Sequence, residues 1–138
     1  MTKKEKDFIR SCRVGHLATA DQSGCPVVIP ICFAFDGREL FSPIDEKPKQ
    51  AAPLSLKRVR NIRANPRVAL VVDRYDENWA RLAYVLITGK AQVMLRGAKH
   101  KRAVILLRKK YPQYHKMAIH DRPIIRIVPA GLKSWGAL

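Results

Sequence analysis

The residues of this chain best placed to do chemistry are cations. Lys57 and Arg58 are adjacent at the start of a helically periodic segment, and an Asn65-Pro66-Arg67 turn ends it. Two cations near a helix N-terminus can gather, with free backbone N–H groups, around one phosphate. They can equally be solvated charges on an amphipathic helix, and the residues alone leave both readings open. Lys47 and Lys49 lie in a Pro-broken loop upstream, where they could meet a second anionic group or remain in solvent. Trp79 and Trp135 are planar enough to flank a ring system, and also suit ordinary core or interface packing.

Other chemistries find little to stand on. No G-x-S-x-G context sets up a nucleophile, and the chain has neither a Walker loop nor a G-x-G-x-x-G. His16, His100, His115 and His120 are scattered without ligand spacing, so no metal site is expected. Cys12, Cys25 and Cys32 are odd in number and form no C-x-x-C pair, which suggests reduced thiols and a cytoplasmic location. No catalytic residue can be nominated. That pattern fits a binding protein, or an enzyme whose cofactor carries the reaction.

These residues must be positioned by a single domain, residues 1–138. A composition 47% hydrophobic and 28% charged belongs to a folded chain. The longest apolar run, Val27 to Phe35, is far short of the ~20 residues a spanning helix needs. The first ten residues carry charge with no apolar stretch behind them, so no secretory signal is expected. Lys and Arg total 27 against 11 acids, a net +16 that draws polyanions whatever the function.

The pattern along the chain predicts a short basic helix at 3–12 with Phe8 and Ile9 inward, then strands at 14–20 and 27–35. Asp36-Gly37 predicts a hairpin into a strand at 39–42. A helix from Pro53 shows Leu56, Val59 and Ile62 on one face. Strands follow at 67–73 and 82–94, the second bent at Thr88-Gly89, then a helix from Gly97 to Tyr111 and a last strand at 124–129. The run 27–35 is apolar on both faces, as in a closed or nearly closed barrel or a strand covered by a partner subunit. The fold class expected is α+β, mainly antiparallel β: a barrel of six or seven strands with two to three helices.

The order of these features resembles the pyridoxamine 5'-phosphate oxidase-like FMN-binding split-barrel family. Arg58 and Lys57 stand eight and nine residues before Pro66 of the NPR turn, the place of the family's phosphate-holding pair. GHLATADQSGCPVVIPICFAFDGRELFS looks like its opening hairpins, LITGKAQV like its kinked long strand, and KKYPQY with PIIRIVP and a late Trp like its C-terminal third. DEKPK, VDRYDENWARL and KYPQY look most like the branch thought to use the deazaflavin F420. Ala83-Tyr84-Val85-Leu86 departs from that branch, where an aromatic-rich segment with an arginine is expected.

The resemblance implies a single split-barrel flavin-binding domain, with FMN or F420 held by Lys57, Arg58, Lys49, Lys47, Ser42, Pro43, Pro30, Ile31, Trp79 and Trp135. It also implies a homodimer with the cofactor cleft at the subunit interface, and hydride transfer to or from a small organic substrate. A basic barrel that binds nucleic acid is the alternative of another class, although aromatics are only 7% and the basic residues form no single stripe. A flavin-binding protein without turnover is a third. No membrane association and no specific nucleic acid are expected.

Overall fold

A computed structural model describes residues 1–45 and 52–138. Helix α1 spans Lys3–Ser11 and begins with a reciprocal cap: the Glu5 N–H donates to the Thr2 hydroxyl and the Thr2 N–H to the Glu5 carboxylate. Its Phe8 and Ile9 are buried, as predicted. Strands β1 (Gly15–Ala20) and β2 (Pro26–Ile31) form a hairpin, with the Asp21 carboxylate accepting from the Ser23 and Cys25 N–H groups in the turn. Strands β3 (Ala34–Phe35) and β4 (Leu40–Pro43) form the hairpin expected at Asp36-Gly37. Helix α2 (Lys57–Ala64) leads into β5 (Arg67–Arg74), then β6 (Ala83–Met94), helix α3 (Ala98–Lys110) and β7 (Ile124–Gly136).

All pairings are antiparallel, in the order β2-β1-β5-β6-β7-β4-β3. The seven strands curl into a half-closed barrel around Leu17, Phe33, Leu40, Leu70, Val85, Ile87 and Ile125. A second apolar cluster, with Leu107, Tyr114, Ile119 and Ile124, packs α3 against the other side. No helix among the described residues is long and apolar enough to cross a membrane.

The run 27–35 is two strands, not one. It breaks at Cys32-Phe33, and the chain passes there from one edge of the sheet, β2, to the other, β3. On the outer face of β2, Val28 is 62% exposed and Pro30 is exposed too, so this chain alone does not bury both faces. Tyr111 fixes the crossing. Its hydroxyl accepts the Phe33 N–H (3.1 Å) and lies between the carbonyls of Arg13 (2.7 Å) and Phe33 (3.0 Å), either of which can take its proton. Burial pushes that phenol up to about 12, so it stays protonated. Tyr111→Phe strands a buried N–H and is expected to lower unfolding free energy by ~1–3 kcal/mol, read by urea denaturation.

Charge ties α3 to the sheet. The Glu39 carboxylate, ahead of β4, accepts from both Nε (2.8 Å) and an Nη (2.6 Å) of Arg126 on β7, and from Lys99 Nζ (3.0 Å) on α3. The Arg126 hydrogen bonds lead in holding Glu39 down at about 2, against an ordinary 4.5. Because the folded value is the lower one, this stabilisation is present above pH ~4.5 and drains away as pH falls toward 2. Glu39→Gln is therefore expected to cost ~2 kcal/mol at pH 7, a figure discounted for the partly exposed Lys99 and Arg126. The gap between variant and wild type should narrow at pH 3; a constant gap would mean that Glu39 acts by packing alone.

Candidate functional site

Helix α2 is seated by its apolar stripe and one polar contact. Val59 and Ile62 are buried, and the buried Asn61 donates from its amide to the Thr19 hydroxyl on β1 (3.1 Å). Leu56 precedes the helix without a side-chain cap, so the N–H groups of the first turn are not occupied from that position. This seating turns Arg58 inward. The side chain lines a cavity of about 330 Å³ together with Val14, Ile29, Pro30, Ile31, Cys32, Ser42, Pro43 and Asp45. The walls thus come from the linker before β1, the end of β2, the end of β4 and the start of α2.

Two polar atoms in this cavity are buried and have no hydrogen-bond partner among the described residues: Arg58 Nε and Asp45 Oδ1. Burial pulls the Arg58 guanidinium below its ordinary value, and the opposing pull of the Asp45 carboxylate does not make up the difference. A guanidinium nevertheless stays charged at neutral pH. Among the described residues Arg58 Nε therefore lacks an acceptor and Asp45 Oδ1 lacks a donor, even with the Asp45 carboxylate acting on Arg58 and the Tyr114 hydroxyl on Asp45. Both deficits are what a ligand with an anionic group beside a hydroxyl would supply.

A second cavity of about 240 Å³ adjoins the first through Cys32 and Asp45, and is otherwise lined by Tyr111, Gln113, Tyr114 and Met117. Burial, then the Asp45 carboxylate, pushes the Tyr114 hydroxyl well up, so it is a donor at every accessible pH.

Five residues singled out in the sequence, Pro30, Ile31, Ser42, Pro43 and Arg58, therefore share one cavity. Lys57 does not join them. Its ammonium lies 3.9 Å from Asp21 and is about half exposed. Lys57 turns toward Asp21 and solvent, while Arg58, the next residue, turns into the cavity. Trp79 is 71% exposed, in a helical turn at Trp79–Arg81, and Trp135 is 54% exposed on β7, stacked on Tyr84 with ring centroids 6.0 Å apart. Neither lines the cavity. Lys47 and Lys49 lie outside the described residues. Sequence reasoning misses Val14, Ile29, Cys32 and Asp45; only Asp45, an acid within SPIDEKPK just past the predicted strand, carries a signal. No group of three or more His, Cys, Asp or Glu that could hold a metal occurs among the described residues.

Seven antiparallel strands in a half-closed barrel, with a cavity at the helix that follows the second hairpin, define a split-barrel protein. The family model for pyridoxamine 5'-phosphate oxidase matches residues 1–136, and the chain belongs to that family. No curated protein matches it. Among solved structures, the conserved hypothetical protein Rv2991 from Mycobacterium tuberculosis is similar over 99% of this chain and 85% of its own, with a TM-score of 0.79 and 24% identity. An F420 reductase is similar over 96% and 98%, with a TM-score of 0.69 and 24% identity. HutZ, the heme storage protein from Vibrio cholerae, is similar over 94% and 91%, with a TM-score of 0.73 and 17% identity.

Proposed function

We propose that the chain binds a ribityl-phosphate flavin, FMN or the deazaflavin F420, and serves as an oxidoreductase acting on a small organic substrate. The observation that carries this reading is a pair of buried atoms without a hydrogen-bond partner among the described residues, Arg58 Nε and Asp45 Oδ1, in one cavity. A ribityl phosphate offers a phosphate for the guanidinium and neighbouring hydroxyls for the carboxylate. Heme carboxylates bring no hydroxyl donor, and none of the residues lining the cavity is a histidine, the common axial ligand of heme iron. Membership of the family and likeness to an F420 reductase support the flavin reading over the nucleic-acid one.

In this reading the bound flavin supplies hydride transfer, and the protein's own residues bind and orient. Arg58 and the first turn of α2 take the phosphate, and Asp45 accepts from the polyol. Ile31 and Pro43, both buried, form a dry wall along the chain of the cofactor, and the exposed Pro30 lines the cavity beside them. Lys47 and Lys49 are proposed to meet further negative charge, such as a polyglutamate tail. At about 330 Å³ the cavity sits at the small end of ligand sites, so the ring extends beyond it toward a second subunit. The exposed apolar outer face of β2, with Val28 and Pro30, gives that subunit a surface to cover, and the proposed assembly is a homodimer with a shared cleft.

The test is to titrate the protein separately with FMN, F420 and hemin, following absorbance, with light scattering on the same sample. Saturable binding of one or both flavins by a particle of about twice 15.7 kDa is expected. Heme binding with no flavin response would overturn the cofactor assignment, and a flavin-binding monomer would overturn the shared cleft.

A further inference from the structure

A cavity of about 360 Å³ opens between α1, β3 and α3, lined by Arg10, Ala34, Phe35, Leu106, Lys109 and Lys110. It shares no lining residue with the cavity around Arg58. Among the described residues that line it, three are cations, three are apolar and none is acidic. The cations come from two helices, and two of them are held over aromatic rings. The Arg10 guanidinium lies 5.5 Å from the centroid of Phe35, and the Lys110 ammonium lies 3.9 Å from that of Phe33.

The crowding has little compensation. Arg10 reaches one carboxylate, Asp7, at 3.7 Å on the exposed side of α1, and Asp7 also takes Lys3. Lys110 Nζ is committed to the Cys12 carbonyl (2.6 Å), while the Arg13 guanidinium packs over the adjacent Tyr111 ring at 4.7 Å and donates to the Lys110 carbonyl. Burial, then repulsion from Arg13, pulls the Lys110 ammonium down to about 8. Three cations gathered with little opposing charge favour an anion beside them. The floor of Ala34, Phe35 and Leu106 is stabilised only by an apolar body.

We propose that this cavity is a second ligand site, distinct from the flavin cavity, and that its ligand is a small aromatic acid. The ring lies against Phe35 and Leu106, and its carboxylate is taken by Arg10 and Lys109, with Lys110 adding positive charge from its place at the Cys12 carbonyl. A bare anion leaves the floor wet, and a neutral aromatic leaves the cations unpaired. The site therefore selects for the combination, much as other ligand pockets pair an apolar lining with a few placed polar groups.

The experiment is an amide NMR titration of the full chain with three probes: 2-naphthoate, its neutral counterpart 2-naphthylmethanol, and inorganic phosphate. For 2-naphthoate the expectation is saturable shifts confined to the neighbourhood of Arg10, Phe35, Leu106 and Lys109, with a dissociation constant of order 1 mM or tighter. The alcohol and phosphate should each bind at least ~10-fold more weakly. Arg10→Ala with Lys109→Ala should weaken naphthoate at least ~10-fold, whereas Arg58→Ala should leave it unchanged. Both replaced side chains are on the surface, and Lys109→Glu alone provides a check if the double variant is poorly folded. Equal affinity for acid and alcohol would overturn the proposal. So would equal affinity for naphthoate and phosphate, shifts spread over all basic helices, or naphthoate binding lost on Arg58→Ala and kept in the Arg10/Lys109 variant.

Discussion

Gly89→Ala is expected to cost ~3 kcal/mol or more, which is a large share of the ~5–15 kcal/mol that typically separates a folded domain from its unfolded chain. The reason is room, not backbone conformation, since Gly89 does not have a positive φ. A methyl group there would fall on the Val128 carbonyl oxygen, 3.0 Å from its carbon and 3.1 Å from Pro129 Cα. These are backbone atoms of the neighbouring strand and cannot swing aside as a side chain can. Gly24 is the contrasting case. It has φ +82°, and a methyl group added there would have nothing within 4 Å, so alanine meets only the left-handed backbone penalty of ~1–2 kcal/mol. Urea midpoints of the two variants should therefore differ clearly; equal midpoints would mean that β6 and β7 can part at the bulge without loss.

The same bulge shows how far sequence patterns reach. Thr88-Gly89 is legible as a bend, and the register does shift between those residues. The extent of β7 is not legible, because Pro129 and Gly131 look like the end of a strand. In the fold, Gly89 faces Pro129 and Thr88 faces Gly131, so the ladder steps over Ala130 and resumes as far as Gly136. A proline without an N–H is tolerated where the ladder is already interrupted. The break in 27–35 is hidden for a different reason. The apolar pattern continues through Cys32 and Phe33, and what turns the chain there is the hydroxyl of Tyr111, 78 residues away. Local periodicity carries no trace of such a partner. Hairpins, helices and buried stripes depend on neighbours in sequence and are read closely; the spacing of Val59 and Ile62 already sets the inward face of α2.

The candidate site divides along the same line. Pro30, Ile31, Ser42, Pro43 and Arg58 follow from the order of family motifs, and they line one cavity because the ends of β2 and β4 approach the start of α2. Spacing alone does not say which of Lys57 and Arg58 turns into the cavity. Asp45 escapes notice because an acid beside lysines reads as an ordinary solvated pair. Its buried oxygen, without a hydrogen-bond partner among the described residues, becomes visible only in the folded chain, where Asp45 and Arg58 line one cavity.

Arg58→Ala is expected to weaken FMN at least ~10-fold while leaving riboflavin, which has no phosphate, within about twofold. A charge-assisted contact to a phosphate contributes ~1.5–3 kcal/mol, and only the phosphorylated ligand can make it. Lys57→Ala, whose ammonium faces Asp21 and solvent, should change neither ligand by more than about threefold. The four affinities of wild type and Arg58→Ala for FMN and riboflavin form a cycle whose coupling isolates the contact between guanidinium and phosphate. If the protein prefers the deazaflavin, F420 and its phosphate-free core replace the two ligands in the same design. Removing the Arg58 guanidinium lifts its desolvation cost but leaves the Asp45 carboxylate without its cation, so a thermal melt accompanies the titration and the cycle is read only with a variant that remains folded. Equal losses for FMN and riboflavin would move Arg58 from the phosphate to the ring. No loss for either would remove the cavity of β2, β4 and α2 as the cofactor site, and the barrel's outer surface would then have to supply one.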